Sequence, residues 1–323
     1  MKKITQKELN PFAYSDSNKR YYTYDYYLKK TFGAKCAKIP LDAGLTCPNI
    51  DGRCGVGGCI YCSGRGSGDF APLPTLSIEE QIKLGKSALA KKWNTGLYIP
   101  YFQAHTNTYA PLSFLRGKFE QAISADGVVG LNIATRADCL EDDVVEYLAD
   151  LSERTVLTVE LGLQTMHDKT AVIINRGHSY AEFVAGYSKL RNASKKINIC
   201  VHLILGLPGE SDDMILETAN EVARLHPDQV KIHMLHIIKG TKLAEMYMAG
   251  EYQPIERERY ISMAVKTLEL LPPDIVIGRI TGDGVASELL APLWSTKKTM
   301  IINDIDKMLY STLSMQGKMW KNK

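Results

Sequence analysis

The 323-residue chain is 45% hydrophobic and 23% charged, an apolar share typical of globular proteins and too high for a disordered one. No uncharged apolar run approaches the ~18 residues of a membrane span, and the N-terminus MKKITQKELNPF lacks the apolar stretch of a signal peptide. These features argue against a membrane protein, a fibrous protein and a secreted disulfide scaffold, and lead us to expect a cytoplasmic protein with no membrane partner. The net charge of +3 is unevenly spread: residues 1–38 carry +6, residues 296–323 carry +4, and the stretch between sums to −7. Basic ends on an acidic middle suit either a polyanionic partner or solvated terminal helices.

Taken in chain order, the pattern predicts a helix near residues 19–32 that carries Tyr21, Tyr22, Tyr24, Tyr26, Tyr27 and Phe32. A strand follows at 36–41, then a cysteine- and glycine-rich loop. Ser77 and Glu80 form a capping box that opens the helix SIEEQIKLGKSALAKKW. Strands are predicted at 97–103, 128–134 and 155–161, with a helix over 139–152. A second capping box, Ser179 with Glu182, opens SYAEFVAGYSKL. Strands at 197–205, 229–236 and 274–280 enclose helices at 211–225 and 254–271. Near-continuous apolar strands alternating with amphipathic helices mean buried parallel strands, hence an α/β barrel or an open α/β sheet. In such folds chemistry sits at the C-terminal ends of the strands. Polar clusters fall there: the cysteine loop, Gln103 to Thr108, Thr135-Arg136, Gln164-Thr165 and Gly206 to Glu210.

The seven cysteines are Cys36, Cys47, Cys54, Cys59, Cys62, Cys139 and Cys200. Their odd number and tight clustering point to a reducing compartment and a metal site rather than disulfides. Thiolates bind soft metals and iron–sulfur clusters, and a Cys-x-x-Cys pair reaches two corners of one centre. Glycines 52, 55, 57 and 58 let the backbone wrap closely, as a cluster of several irons requires. A four-cysteine zinc site from Cys47, Cys54, Cys59 and Cys62 is the alternative. Structural zinc usually takes two short cysteine pairs, and this segment has one.

Cys47, Cys59 and Cys62, with Tyr61 just before the last, resemble the three-cysteine loop of the radical S-adenosylmethionine (SAM) superfamily. The spacing is similar to the wide-spaced branch that holds the Elongator catalytic subunit and the YhcC/YtqA-like family. The resemblance to the latter runs along most of the chain through NPFAY, KRYYTYDYYLKKTFG, LDAGLTCPNIDG, GGCIYCSGRGSGDF, TNTYAP, IATRADCL, ELGLQT, INRGH, HLILGLPGE, KIHMLHIIKGT and APLWSTKK. It implies an α/β fold, a partial (β/α)6 TIM-like barrel with short N- and C-terminal helical extensions. We place a basic, aromatic extension at 1–35, the barrel at 36–280 and a C-terminal extension with a basic helix at 281–323.

The resemblance further implies a 4Fe-4S cluster on Cys47, Cys59 and Cys62, with SAM on the remaining iron. Reductive cleavage of SAM would yield methionine and a 5′-deoxyadenosyl radical that abstracts hydrogen. An electron donor such as flavodoxin or ferredoxin is the implied partner. Cys54 lies four residues before Cys59 and competes with Cys47 as first ligand; Cys47 is preferred because it matches the CPN element.

By the same resemblance Tyr61 packs near adenine, or else covers the cluster. Gln103, Thr106 and Asn107 meet the methionine part of SAM. Gln164, Arg176 and His202 align with ribose- or carboxylate-contacting positions, and an arginine fork suits a carboxylate. His202 stands where related enzymes often carry Asp, and a satisfied core role competes with ligand contact. Thr135 and Arg136 are pocket or substrate residues, and Leu205 opens the stretch passing the adenine. Glu160 alternates within a buried strand, as a paired inward carboxylate would. No catalytic residue is assigned. Cys139 and Cys200 are isolated and read as core thiols, and no acetyltransferase-like domain is expected after the barrel.

For the substrate, Lys19, Arg20, Lys29 and Lys30 among the tyrosines suit RNA, with cations for phosphate and rings for bases. Packing of the same tyrosines on the barrel is the competing explanation. The resemblance makes tRNA the leading polymer. It suggests processing of the wobble uridine 5-substituent, for example carboxymethylaminomethyl to aminomethyl, exposing an amine for a partner methyltransferase. The activity would be that of a transferase or lyase. Alternatives are a radical SAM enzyme for a small metabolite or protein side chain, and a non-catalytic zinc- or cluster-binding nucleic-acid module.

Overall fold

The computed structural model describes residues 10–90 and 95–321. Lys2, Lys3, Lys7 and Lys323 of the basic ends, and the tail Lys91-Lys92-Trp93 of the first capped helix, lie outside them. The elements run α1 (Tyr24–Phe32), β1 (Cys36–Leu41), α2 (Ile78–Ala90), β2 (Leu97–Phe102), α3 (Leu112–Ile123), β3 (Gly130–Thr135), α4 (Asp142–Arg154) and β4 (Val156–Gln164). They continue with α5 (Asp168–Ile173), α6 (Tyr180–Ala193), β5 (Asn198–Leu205), α7 (Asp212–Leu225), β6 (Gln229–Met234), β7 (Ile237–Ile238) and α8 (Lys242–Met248). Then come α9 (Arg257–Leu270), β8 (Val276–Arg279), β9 (Leu289–Ala291), a 3₁₀ turn (Leu293–Thr296) and α10 (Lys298–Ser311).

Seven strands join in the order β1-β2-β3-β4-β5-β6-β8. Nearly sequential order in a parallel sheet keeps every right-handed crossover on one face, which is the winding of a partial (β/α) barrel. The protein is therefore of the α/β class with a partial barrel, as expected. A short antiparallel ladder, β7 with β9, adds a second small sheet.

The chain divides into two compact units that interleave along the sequence. The first comprises Leu28–Leu163 and Asn175–Cys200, and so holds β1 to β4. β1 pairs in parallel with β2, β2 with β3 and β3 with β4. On β1, Ala37, Ile39 and Leu41 are buried. Ile39 meets α2 so closely that a Cβ on Gly85 would lie 2.4 Å from its Cγ2. Lys38 and Pro40 therefore point to the other face of the sheet, by the two-residue alternation of a strand. Both capping boxes form: the Ser77 N–H donates to Glu80 Oε2 at 2.8 Å, and Ser179 N–H to Glu182 Oε2 at 2.7 Å.

The second unit comprises, among the described residues, those from 10 to 27, Gln164–Ile174 and those from 201 to 321. Here the expectation for the N-terminus needs correction. The helix starts at Tyr24, not near 19, because the preceding residues are extended: Ile277 N–H donates to Tyr22 O at 2.7 Å and Thr23 bridges Ile277 in parallel. Arg20 is buried; its Nη1 donates to Leu309 O and Ser314 O at 3.5 and 3.3 Å, at the C-terminal end of α10, and its guanidinium lies 5.1 Å from the Tyr310 ring centroid. A cation there offsets the exposed carbonyls of a helix end. Lys19 pairs with Asp306. Arg20 is thus a structural residue and not a phosphate contact. Tyr21 is buried and Tyr22 stacks on Tyr14 at 5.0 Å, so at least these tyrosines pack. Lys29 and Lys30 are exposed.

In the same unit His236 is closely covered, since a Cβ on Gly282 would fall 2.6 Å from its Cε1. Burial first, then Lys298 and Arg279, push its pKa down from 6.5 to about 4. Between those values the unfolded chain binds more protons than the folded protein, so stability falls as pH drops from about 6.5 toward 4. Urea denaturation across this window should show that slope, and His236→Gln should flatten it.

Candidate metal and cofactor site

The cysteine loop follows β1 in the first unit and closes on itself through main-chain bonds, including Cys62 N–H to Cys59 O at 3.0 Å and Cys54 N–H to Pro48 O at 2.8 Å. The Cys59 thiol accepts from Cys62, Tyr61 and Asn49, and its pKa is pushed down to about 7, with Arg136 adding to the effect. The Cys62 thiol is pushed well above its ordinary value by its hydrogen bond to Cys59 and by burial, with the charges of Cys59 and Cys47 adding to the effect. Cys54 is exposed and turned elsewhere, its Sγ 3.8 Å from Asp138 Oδ2. Burial and that carboxylate raise its pKa.

Asn49 locks this loop to the segment after α5. Its Nδ2 donates to Asn175 O and lies 3.6 Å from Cys59 Sγ. Asn175 answers with Nδ2 to Val56 O and Gly58 O, at 3.1 and 2.7 Å. Two glycines make room: a Cβ on Gly55 would lie 2.5 Å from Asn49 Oδ1, and one on Gly177 (φ +76°) 2.7 Å. Asn49 is fully buried, yet its Oδ1 has no hydrogen-bond partner. A buried acceptor left open is costly unless something occupies it.

Arg136 stands beside this loop. Its Nε and Nη2 hold Asp138 at 3.0 and 2.8 Å, and Nη1 donates to Arg176 O at 2.6 Å. The ion pair keeps Asp138 below the usual carboxylate range, although burial opposes it. His178 lies near Asp138 but is pushed down to about 3 by burial and by Arg176, so it is neutral at pH 7. Arg176 is 2% exposed, with Nε on His178 O at 3.0 Å and Nη1 on Leu163 O at 2.5 Å.

The remaining expected residues fall as follows. The Tyr61 phenol lies against the Cys59 thiol, the place of an aromatic cover for a cluster. Thr106 is buried, with its N–H on Thr46 O at 3.2 Å, and Gln103 N–H reaches Leu41 O at 3.2 Å. Asn107 Nδ2 lies 2.9–3.2 Å from the Phe102, Ala104 and Ala134 carbonyls, while its buried Oδ1 is unpartnered. Thr135 Oγ1 meets Thr108 Oγ1 at 2.5 Å. Gln164, His202 and Leu205 belong to the second unit. There Gln164 has φ +67°, the His202 ring lies 5.3 Å from that of His233, and Leu205 is buried just before Gly206. Asn49, Asn175, Asp138 and His178 were not singled out from the sequence. Their signal was nonetheless present, since Asn49 lies in LDAGLTCPNIDG, Asp138 in IATRADCL, and Asn175 and His178 in INRGH.

Three cysteines on one short loop, a backbone that approaches where a Cβ would collide, and open buried acceptors at Asn49 and Asn107 fit a thiolate-held cluster with a polar ligand beside it. Comparison with known proteins agrees. The sequence model of the radical SAM superfamily matches residues 50–222, and that of the radical SAM C-terminal domain matches 227–311. YtqA of Bacillus subtilis is 47% identical, across 97% of this chain and 96% of its own length. A tRNA uridine(34) acetyltransferase of Methanocaldococcus infernus is 31% identical over 48% of this chain and 29% of its own. The solved structure of archaeal Methanocaldococcus infernus Elp3 with an N-terminal deletion shares the fold at TM-score 0.65 and 18% identity, covering 87% of this chain and 64% of that one. The chain belongs to the radical SAM superfamily, in its YhcC/YtqA-like family. Its cofactors are a 4Fe-4S cluster and S-adenosylmethionine.

Proposed function

We propose that this radical SAM enzyme modifies the 5-substituent of the wobble uridine of tRNA, with Cys47, Cys59 and Cys62 holding the cluster. When bound and reduced, the cofactors supply a hydrogen-abstracting radical; the protein orients them and excludes competing reactions. Asn49 and Asn175 brace the cysteine loop, Tyr61 covers it, and Arg136, held in place by Asp138, favours the Cys59 thiolate. Asn107 Oδ1 offers an acceptor to SAM, while its amide braces the ends of β2 and β3. Flavodoxin or ferredoxin is the proposed class of electron donor, and a methyltransferase acting on an exposed amine is the proposed downstream partner.

The observation that carries the RNA reading is the similarity of about half the chain to a protein named tRNA uridine(34) acetyltransferase. The reaction that fits best converts carboxymethylaminomethyluridine to aminomethyluridine. The test is mass spectrometry of tRNA nucleosides from cells with and without the protein, together with tRNA binding across a salt series. Loss of the protein should leave the carboxymethylaminomethyl form in place. Binding should weaken steeply with salt, because neutralised phosphates release counterions, and Lys29→Ala with Lys30→Ala should reduce that slope. An unchanged uridine profile without salt-dependent binding defeats the reading.

A further inference from the structure

The inner face of the first unit carries a polar cluster that the site above does not use. Glu160 on β4 is fully buried, and its carboxylate accepts from a residue on each of the three preceding strands. Lys38 Nζ lies 3.3 Å from Oε1, Asn132 Nδ2 2.7 Å from Oε1, and the Tyr101 hydroxyl 2.8 Å from Oε2. Tyr101 and Asn132 are direct partners in the β2–β3 ladder, so the four side chains line one face of β1 to β4. The Lys38 ammonium also sits 5.2 Å from the centre of the Tyr101 ring.

Packing does not account for this arrangement. The inside of an α/β barrel is ordinarily filled by branched aliphatic side chains. A buried ion pair replaced by well-packed apolar residues is often neutral or stabilising. The members also differ in access: the Glu160 side chain has no exposure, whereas that of Lys38 is 23% exposed. Glu160 at 3.3 Å and the Tyr101 ring at 5.2 Å therefore hold the Lys38 ammonium in one place on the inner face.

We propose that Lys38 is a specificity-determining residue that pairs with a carboxylate on the substrate's reacting arm, and that Glu160 is its positioning residue. The substrate class is then a base or side arm ending in a carboxylate rather than a neutral amide. This rests on the wobble-uridine reading and narrows it to the acidic form of the substituent.

The experiment uses reconstituted enzyme, SAM, dithionite as reductant and two substrates: tRNA bearing 5-carboxymethylaminomethyluridine, and the same tRNA with that carboxylate converted to its amide. Wild type should prefer the acid. Lys38→Met should lower kcat/KM on the acid by about 10–100-fold, the range of a lost charge-assisted hydrogen bond, chiefly through KM, and erase the preference. Lys38→Arg should restore it, and Glu160→Gln should weaken it. Should Lys38→Met fail to fold, as judged by its melting temperature, Lys38→Gln against Lys38→Arg decides the same point. An unchanged acid-to-amide ratio in the charge-removing variant overturns the role of Lys38 while leaving the uridine reading standing. Absence of wild-type turnover on either tRNA overturns both.

Discussion

Iron and acid-labile sulfide should fall to background in Cys47→Ser, Cys59→Ser and Cys62→Ser, whereas Cys54→Ser should keep the visible absorbance of the wild-type cluster. On the proposed ligand set each of the three carries one thiolate to one iron, so the expected loss in any of them is complete rather than graded. Cys59 and Cys62 share a hydrogen bond that lowers the first thiol and raises the second, so the pair sits close enough to serve one centre, and the thiolate is the ligand. Cys54 is disposed against ligation by position, exposed and with its Sγ 3.8 Å from Asp138 Oδ2. Anaerobic reconstitution followed by metal and sulfide analysis checks this. Equal cluster loss in Cys54→Ser and Cys47→Ser would move the first ligand to Cys54. A colourless zinc protein would favour the four-cysteine alternative.

Arg176→Ala should destabilise the fold by about 2–5 kcal/mol, the cost of a cavity together with buried carbonyls left without their donors, against a total stability of roughly 5–15 kcal/mol. From sequence, Arg176 reads as an arginine fork for a SAM carboxylate. In the structure the guanidinium is buried and bonded to the Leu163 and His178 carbonyls. The Arg176 carbonyl in turn receives Arg136. Removing the side chain leaves acceptors unsatisfied and a cavity beneath the cysteine loop's support. Chemical denaturation measures the loss, and iron content should fall with it. Weakened SAM binding at wild-type stability would instead support the role the resemblance implies, a direct SAM ligand.

Periodicity located all seven strands of the main sheet, with β1 matching end to end and β4 running three residues beyond its predicted end. The capping boxes at Ser77 and Ser179 marked the starts of α2 and α6 because they are local contacts between residues three apart. Helix α3 went unassigned although Leu115, Phe119 and Ala122 lie on one buried side of it; it opens after Pro111 with no polar side-chain cap to announce it.

The sequence by itself determined the α/β class, the three-cysteine loop and the family, because periodicity, spacing and motifs are properties of neighbouring residues. Only the tertiary structure decided what the charged residues do. Arg20 and Lys30 look alike as basic residues near tyrosines, yet Arg20 caps the end of α10 from 289 positions away while Lys30 is exposed. Likewise Glu160 gathers Lys38, Tyr101 and Asn132 from three other strands. A charge acquires its role from whichever distant partner folding sets beside it, through contacts and burial that sequence spacing does not encode.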